Sequence, residues 1–557
     1  MSVKPFRTIR IVLIWMVCLL VFGCATLHFS FVLYFNKKIK TDLCHEFAIQ
    51  TKGDFEMTIE KWQTDIFNQS IFITDLNIKS VKDKSPEKAK YYLSSAKINF
   101  IDFNIFSFIF SRALSFEKLE LIGPKVTIFR NKIDSETDKP TQQKGKFSIY
   151  KLLKPYINAL SIDNIEINNA AIKIYVDDKD SFLILNNSKN KQKITGLHID
   201  KETDQNGRLF LAKKTEISIH DILFTTPDKL YTIKVGRLLT SYTDSSVIMD
   251  SVKLIPNYSK LKFGKAAGEQ TDRISIAVDN IKFSRIDVKL FFEKNWFVAR
   301  QLKVSELVLN VYRDKNDIRR PKTLPSIQEL ISKIPIYIKI DTVLLSHAIC
   351  IYQEVAIDAQ EPGKIFFNNL DATITGFKNR DDSIHPKNDL VIKVNCLLMG
   401  QGKLNLEYRF PYHTKGTNFT CEGHLQAMSF LEINKVFQPI TNMQITSGEL
   451  DYMLFSFQAS EYASEGKMKL VYKGLQVQLL KDRNLKHNPA KKLLSFLANT
   501  LIIIDENPKK NHPIRVTRIH YRRNPERFIF NYTLKSLLSG IKTAIGLPDL
   551  QSDRSKK

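Results

Sequence analysis

From about residue 50 onward, apolar and polar residues alternate with a period of two, as in Ile71, Ile73 then Leu76, Ile78, and again in Ile274, Ile276, Val278 then Ile281, Phe283. That is the period of strands with one buried and one wet face, so the spacing predicts a mostly β chain. One arrangement returns at fixed spacing: apolar, one residue, apolar, four residues, apolar, one residue, apolar. Its four copies are Leu119, Leu121, Val126, Ile128; Ile165, Ile167, Ile172, Ile174; Leu302, Val304, Leu309, Val311; and Val343, Leu345, Cys350, Tyr352. Their centres hold Gly123-Pro124, Asn168-Asn169, Ser305-Glu306 and Ser346-His347. Small and polar residues favour turns, so each copy is predicted to be a short hairpin.

A longer match contains these copies. Ile98 to Arg130 aligns with Ile281 to Arg313 at one constant offset, pairing Phe100 with Phe283, Leu119 with Leu302 and Arg130 with Arg313. A polar linker follows each block, and then an apolar segment with helical spacing such as Ile327, Leu330, Ile331, Ile334. Ser326 and Glu329 have the spacing of a capping box that starts the second of these helices. The expected unit is therefore hairpin, linker, short helix, hairpin, present twice. Boundaries follow at 1–10 for a short tail, 11–35 for an apolar segment, 36–255 and 256–435 for two β units, and 436–557 for C-terminal strands and an amphipathic helix.

Alternating strands leave an apolar face that something must cover. Few helices are predicted, so the sheet either closes on itself or curls into an elongated open trough whose lining is covered by a ligand. The linkers sit inside the repeat rather than between compact domains, which favours the trough. At the C-terminus, Phe528, Phe530 and Tyr532 read as a final strand, and Leu534, Leu537, Leu538, Ile541 and Ile545 follow helical spacing with Lys535 and Lys542 off the stripe. That helix is expected to plug the far end of the trough, the alternative being a membrane-surface or partner-docking helix.

The segment 11–35 is almost continuously apolar, long enough for a helix across a hydrocarbon core. Lys4, Arg7 and Arg10 precede it and Lys37, Lys38 and Lys40 follow it, so flanking charge alone does not fix its direction. Val21-Phe22-Gly23-Cys24 has the outline of a lipobox, and Gly23-Cys24-Ala25 that of a cleavage site. Phe22 is bulky for a lipobox, and the run stays apolar beyond either cut, so a single transmembrane anchor accounts for more of it.

Lys and Arg outnumber Asp and Glu by 83 to 58, a formal charge of +25. Such a field attracts anionic surfaces. The chain has no basic helix with interleaved aromatics and no zinc-finger spacing, so an anionic bilayer fits better than nucleic acid. Six cysteines include no CxxC, which leaves buried single thiols as the expected state, with one disulfide among Cys350, Cys396 and Cys421 as the alternative. No metalloprotease, nucleophile-elbow, P-loop or dinucleotide motif is present, and Asp177-Asp178, Asp381-Asp382 and His385 fall in polar stretches that read as turns. The sequence therefore predicts neither an enzyme nor a cofactor or metal.

An N-terminal anchor followed by segments such as Phe116 to Arg130 and Asn164 to Tyr175, then Gly448-Glu-Leu450 and Gly466-Lys-Met-Lys-Leu470, resembles the AsmA-like family of bacterial envelope proteins, which includes TamB-type members. The resemblance implies an inner-membrane, single-pass protein whose bulk is periplasmic and whose β sheet forms a hydrophobic groove. It further implies phospholipid or other acyl-lipid transport toward the outer membrane, or outer-membrane homeostasis and biogenesis. A non-catalytic scaffold that assists outer-membrane protein assembly, with an outer-membrane or envelope protein as partner, is the alternative. The positions carried over as groove lining are Leu119, Leu121, Val126, Ile128, Ile165, Ile167, Ile172, Ile174, Leu302, Val304, Leu309, Val311, Val343 and Leu345.

Overall fold

The computed structural model of the protein describes residues 5–33, 38, 40–65, 67–81, 90–130, 148–176, 183–186, 191–205, 212–226, 228–318, 327–334, 336–357, 359, 361–380, 389–411, 418–441, 443–480 and 503–547. Ser326, Asp177, Asp178, Asp381, Asp382 and His385 lie outside them. The fold is mostly β with short helices. It divides into two units, Met1–Pro227 with Arg237–Thr243, and Asp228–Gly236 with Asp244–Lys557.

The first unit opens with α1 (Pro5–Leu33), a helix of 29 residues. At ~1.5 Å per residue it is roughly 44 Å long, against a hydrocarbon core of ~30 Å. Ile14, Trp15, Leu19, Leu20, Phe22, Leu27 and Phe29 are all exposed on it. No membrane span is identified among the described residues. The segment expected to be an anchor, 11–35, falls largely on α1.

Then come α2 (Lys40–Gln50), β1 (Phe55–Asp65), β2 (Ser70–Ser80), β3 (Lys90–Phe103), α3 (Ile105–Ser111), β4 (Ala113–Ile122), β5 (Lys125–Arg130), α4 (Ile149–Leu153), β6 (Ala159–Asn168), β7 (Ala171–Val176), β8 (Leu183–Asn186), β9 (Lys191–Ile199), α5 (Lys201–Gln205) and β10 (Ala212–Thr225). β1, β2 and β3 pair antiparallel in sequence. β3 then pairs with β4 through one half and with β5 through the other. β4 runs parallel to β6 and β5 parallel to β7. β9 and β8 continue the sheet to β10.

The residues of β11 (Tyr231–Ser241) are divided between the two units. The second unit continues with β12 (Ser246–Pro256), α6 (Lys260–Ala267), β13 (Arg273–Ile286), α7 (Val288–Lys294), β14 (Trp296–Asp314), α8 (Ile327–Ser332) and β15 (Tyr337–Val355). β16 (Gly363–Lys378), β17 (Leu390–Leu398), β18 (Gly402–Phe410), β19 (Phe419–Ser429), α9 (Asn434–Thr441), β20 (Met443–Ala459), β21 (Ala463–Leu479), β22 (Val516–Arg522) and α10 (Ile529–Ala544) complete it. Among the described pairings its strands run antiparallel except for β14 and β15, which are parallel. In neither unit do the described pairings close the sheet into a barrel.

The predicted hairpins are a correction to make. β14 and β15 are unbroken strands of 19 residues through the supposed turns. β4 and β5 likewise lie along a single partner, β3. What occupies each centre is a residue in the left-handed region: Gly123 (φ 66°), Asn169 (φ 56°), Glu306 (φ 55°) and His347 (φ 53°). Small and polar residues tolerate that conformation, which is why the centres looked like turns. Along β14 the register is not displaced across the kink, since Val304 faces Ile281 and Leu307 faces Val278, whereas along β15 the pairing with β16 shifts at Ala348 and is regained at Cys350. A five-residue step from one apolar pair to the next would send them to opposite faces of a regular strand. In β2 the kink falls at Asp75 (φ 51°), and Ile73 and Leu76, which straddle it, join one buried cluster. The kink thus returns the apolar positions to one face.

The internal repeat extends to the helices. α3 and α7 each have 7 residues, a short polar cap (Asn104, Asp287) accepting from the backbone N–H three residues on, and a left-handed residue (Arg112, Asn295) at the end. These pairs keep the constant offset seen between Phe100 and Phe283.

The second correction is C-terminal. Phe530 and Tyr532 belong to α10, and the last strand is β22. Their alternation arises because Phe530 meets Tyr352 and Phe367 while Tyr532 meets Phe419. Tyr532, Ser536, Ser539, Gly540 and Ala544 are buried, a helical stripe laid on the sheet. Gly540 permits the approach: a Cβ there would lie 3.0 Å from Ile519 and 3.1 Å from Met468.

Candidate functional site

The four quartets meet across the parallel pairs, residue against residue. In the first unit Leu119 pairs with Ile165, Leu121 with Ile167, Val126 with Ile172 and Ile128 with Ile174. In the second, Leu302 pairs with Val343, Val304 with Leu345, Leu309 with Cys350 and Val311 with Tyr352. Antiparallel neighbours extend each rung with further apolar side chains. Phe283, Ile281, Ile276 and Ile274 face the β14 quartet, and Ile374, Ala372, Phe367 and Ile365 face the β15 quartet. β12 adds Val247, Met249 and Leu254 opposite Phe283, Ile281 and Ile276. The outcome is a ladder of apolar rungs running across β12 to β16.

The two units differ in what covers the ladder. In the first, Leu119, Leu121, Ile165 and Ile167 pack into a buried cluster with Ile98 and Phe116, against which Leu43 and Cys44 of α2 also lie. In the second, the C-terminal strands and α10 form the large core, with Phe419, Cys421, Phe457, Met468 and Ile519 at its centre. Tyr352, Phe367 and Ile374 reach the edge of that core. Leu302, Val304, Leu309 and Val311 are half-buried and belong to none of the buried clusters among the described residues. Only part of the ladder is therefore roofed by a buried cluster among the described residues.

The ladder ends on charge. Two residues beyond Val311 and Tyr352 come Arg313 and Glu354, again register partners and both buried. Arg313 Nη1 donates to Asp272 Oδ1 at 3.0 Å, and Asp272 directly precedes β13. Lys315 forms an ion pair with Glu354, whose Oε2 accepts from the Tyr352 hydroxyl at 2.8 Å. Burial, opposed by Arg313, raises the Asp272 carboxyl above its ordinary value. Burial also penalises a charged Glu354, yet Lys315 and Tyr352 hold that carboxyl below the usual glutamate range. Arg527, at the approach to α10, feels burial first and then the like charge of Arg313, and both weaken its hold on its proton. The sequence signal for this rung was available as the break in alternation after Val311 and Tyr352.

Cys350, Cys396 and Cys421 are free thiols, the last two buried. Among the described residues no group of three His, Cys, Asp or Glu side chains is placed to hold a metal ion. No family model matches the chain, and no curated protein matches it significantly.

Proposed function

We propose that this is a membrane-anchored, AsmA-like protein of the inner membrane whose periplasmic β sheet binds acyl chains and carries phospholipid between membranes or maintains the outer membrane. The observation that carries this reading is the in-register apolar ladder across β12 to β16, with the Leu302, Val304, Leu309 and Val311 side chains half-buried and outside every buried cluster among the described residues. Apolar area left in water costs about 25 cal/mol per Å², and an acyl chain is a flexible apolar ligand able to lie along such a row. The exposed apolar helix α1 suits a signal anchor, and the charge of +25 suits work beside an anionic bilayer.

Native mass spectrometry of the full chain, gently extracted from membranes, tests the proposal. Co-purified species with the masses of diacyl lipids are the expected result. Protein free of acyl chains would move the assembly scaffold ahead, because a scaffold needs an exposed protein-binding surface and no lipid.

A further inference from the structure

Resting on the groove reading, we infer that the second unit holds a subsite for a phosphate-bearing anionic group where the ladder ends, built from Arg313, Arg527 and Lys535. In lipid the group would be the headgroup phosphate; a free phosphate ester shares the same chemistry.

Four cations, Arg313, Lys315, Arg527 and Lys535, act on one another and on two carboxylates, Asp272 and Glu354. Asp272 is taken by Arg313 and Glu354 by Lys315. Phe530 of α10 lies against Tyr352, which sets the start of that helix at the end of the ladder, and there half-buried Arg527 and exposed Lys535 remain as excess positive charge. Holding the half-buried Arg527 guanidinium near the buried one of Arg313 is costly unless an anion joins them.

A second, independent feature points the same way. Arg313 is only 9% exposed, and its Nε, buried, has no hydrogen-bond partner. A buried guanidinium N–H without an acceptor is uncommon, and a phosphate oxygen is a suitable acceptor for it. α10 begins two residues after Arg527 with no acidic residue in its first turn and no side-chain cap, so its first backbone N–H groups add positive potential near the same place.

Position supplies the link to lipid. Ile274, Val311 and Tyr352 form the last apolar rung, and Asp272, Arg313 and Glu354 lie two residues further along the same strands or their extension. By the period of two they share a face with the ladder. An acyl chain on the rungs would therefore bring an attached phosphate to Arg313 and Arg527.

The test uses the full chain in a non-ionic detergent and titrates three probes: dihexanoyl phosphatidylglycerol, a neutral dihexanoylglycerol, and inorganic phosphate. The phosphatidylglycerol is expected to bind about tenfold more tightly than the neutral lipid. Arg527→Gln with Lys535→Gln should remove that difference and leave neutral-lipid binding unchanged, and Arg527→Lys should retain part of it. Equal binding of the two lipids by the unaltered protein overturns the subsite and leaves the groove reading standing. Phosphate binding that the double substitution abolishes, with no lipid bound, keeps the anion subsite, assigns it to a free phosphate ester and overturns the groove. A preference that survives in a folded double variant also overturns the subsite.

Discussion

Arg313 on β14 and Glu354 on β15 are register partners on parallel strands, each two residues past the last apolar member of its quartet. The repeated pattern therefore does more than place apolar rungs. Where it stops, it stops on adjacent strands together, and the polar groups that follow are brought into one buried rung.

That rung makes stability depend on pH. Glu354 is held below its ordinary value by Lys315 and Tyr352 against the opposing effect of burial. A depressed carboxyl contributes stability that is complete above the unfolded value of 4.5 and is lost as pH falls through the folded value. Glu354→Gln should flatten the acid side of the stability profile below about pH 5 and, by leaving Lys315 without its buried partner, cost about 3 kcal/mol near neutrality. Urea midpoints of both proteins from pH 3 to pH 7 measure this, and parallel acid slopes would show that Glu354 is not the group responsible.

The kinks make a separate prediction. Glu306 holds φ 55° within a strand, a conformation that costs a residue with a side chain about 1 kcal/mol and glycine much less. Glu306→Gly should be neutral or slightly stabilising, despite the usual penalty for glycine in a strand. Glu306→Val, although valine favours strands, should destabilise by about 1 to 2 kcal/mol. Chemical unfolding of the two variants in parallel reads the order, and a valine variant more stable than the glycine variant would mean that the kink is not required.

These kinks explain how far the sequence could be read. The period of two, the constant offset of Ile98 to Arg130 and the register of the quartets all follow from side-chain alternation, which local sequence carries directly. The hairpins did not survive because a left-handed residue in a continuous strand has the same residue preferences as a tight turn. Only the pairing of β4 and β5 with one partner, β3, separates the two cases, and that is long-range information. Phe528, Phe530 and Tyr532 misled for a related reason: three aromatics in alternation fit a strand, and the small residues Ser536, Ser539, Gly540 and Ala544 that seat α10 on the sheet carry no apolar signal. The Asp272, Arg313 and Glu354 rung required the register itself.

Burial of the thiols gives a third test. Burial pushes the Cys396 and Cys421 thiols up to about 12, and raises Cys350 as well. Raised thiols stay protonated in the folded protein while the unfolded chain begins to ionise near 9.0, so any stability they contribute is lost as pH rises above that value. The thiolate is the reactive form, so at pH 8 iodoacetamide should leave Cys396 and Cys421 unmodified in the native protein and alkylate them in urea. Peptide mapping reports each site, and rapid native labelling of Cys421 would mean that the C-terminal core opens.

The last prediction concerns the ladder as a lipid path. Leu302 lies between Phe283 and Val343 on one rung, half-buried, with no covering cluster among the described residues. An acyl chain lying there would make many weak contacts, each side chain contributing about 1 to 2 kcal/mol, so trimming one leaves most of the path intact. Leu302→Ala should therefore weaken the binding of a fluorescent fatty acid by no more than about 5- to 30-fold. An aspartate at the same position sets an unpaired carboxylate against the chain, at a cost of several kcal/mol for any acyl group that covers it. Because Leu302 is only half-buried, the carboxylate keeps access to water when the groove is empty, and the fold should tolerate it. Leu302→Asp is expected to reduce binding by two orders of magnitude or more while circular dichroism and thermal unfolding stay close to those of Leu302→Ala. The scaffold reading expects the reverse ordering of surfaces, with groove charges harmless and loop substitutions damaging. A folded Leu302→Asp protein that binds fatty acid as the unaltered chain does would remove the ladder from the lipid path.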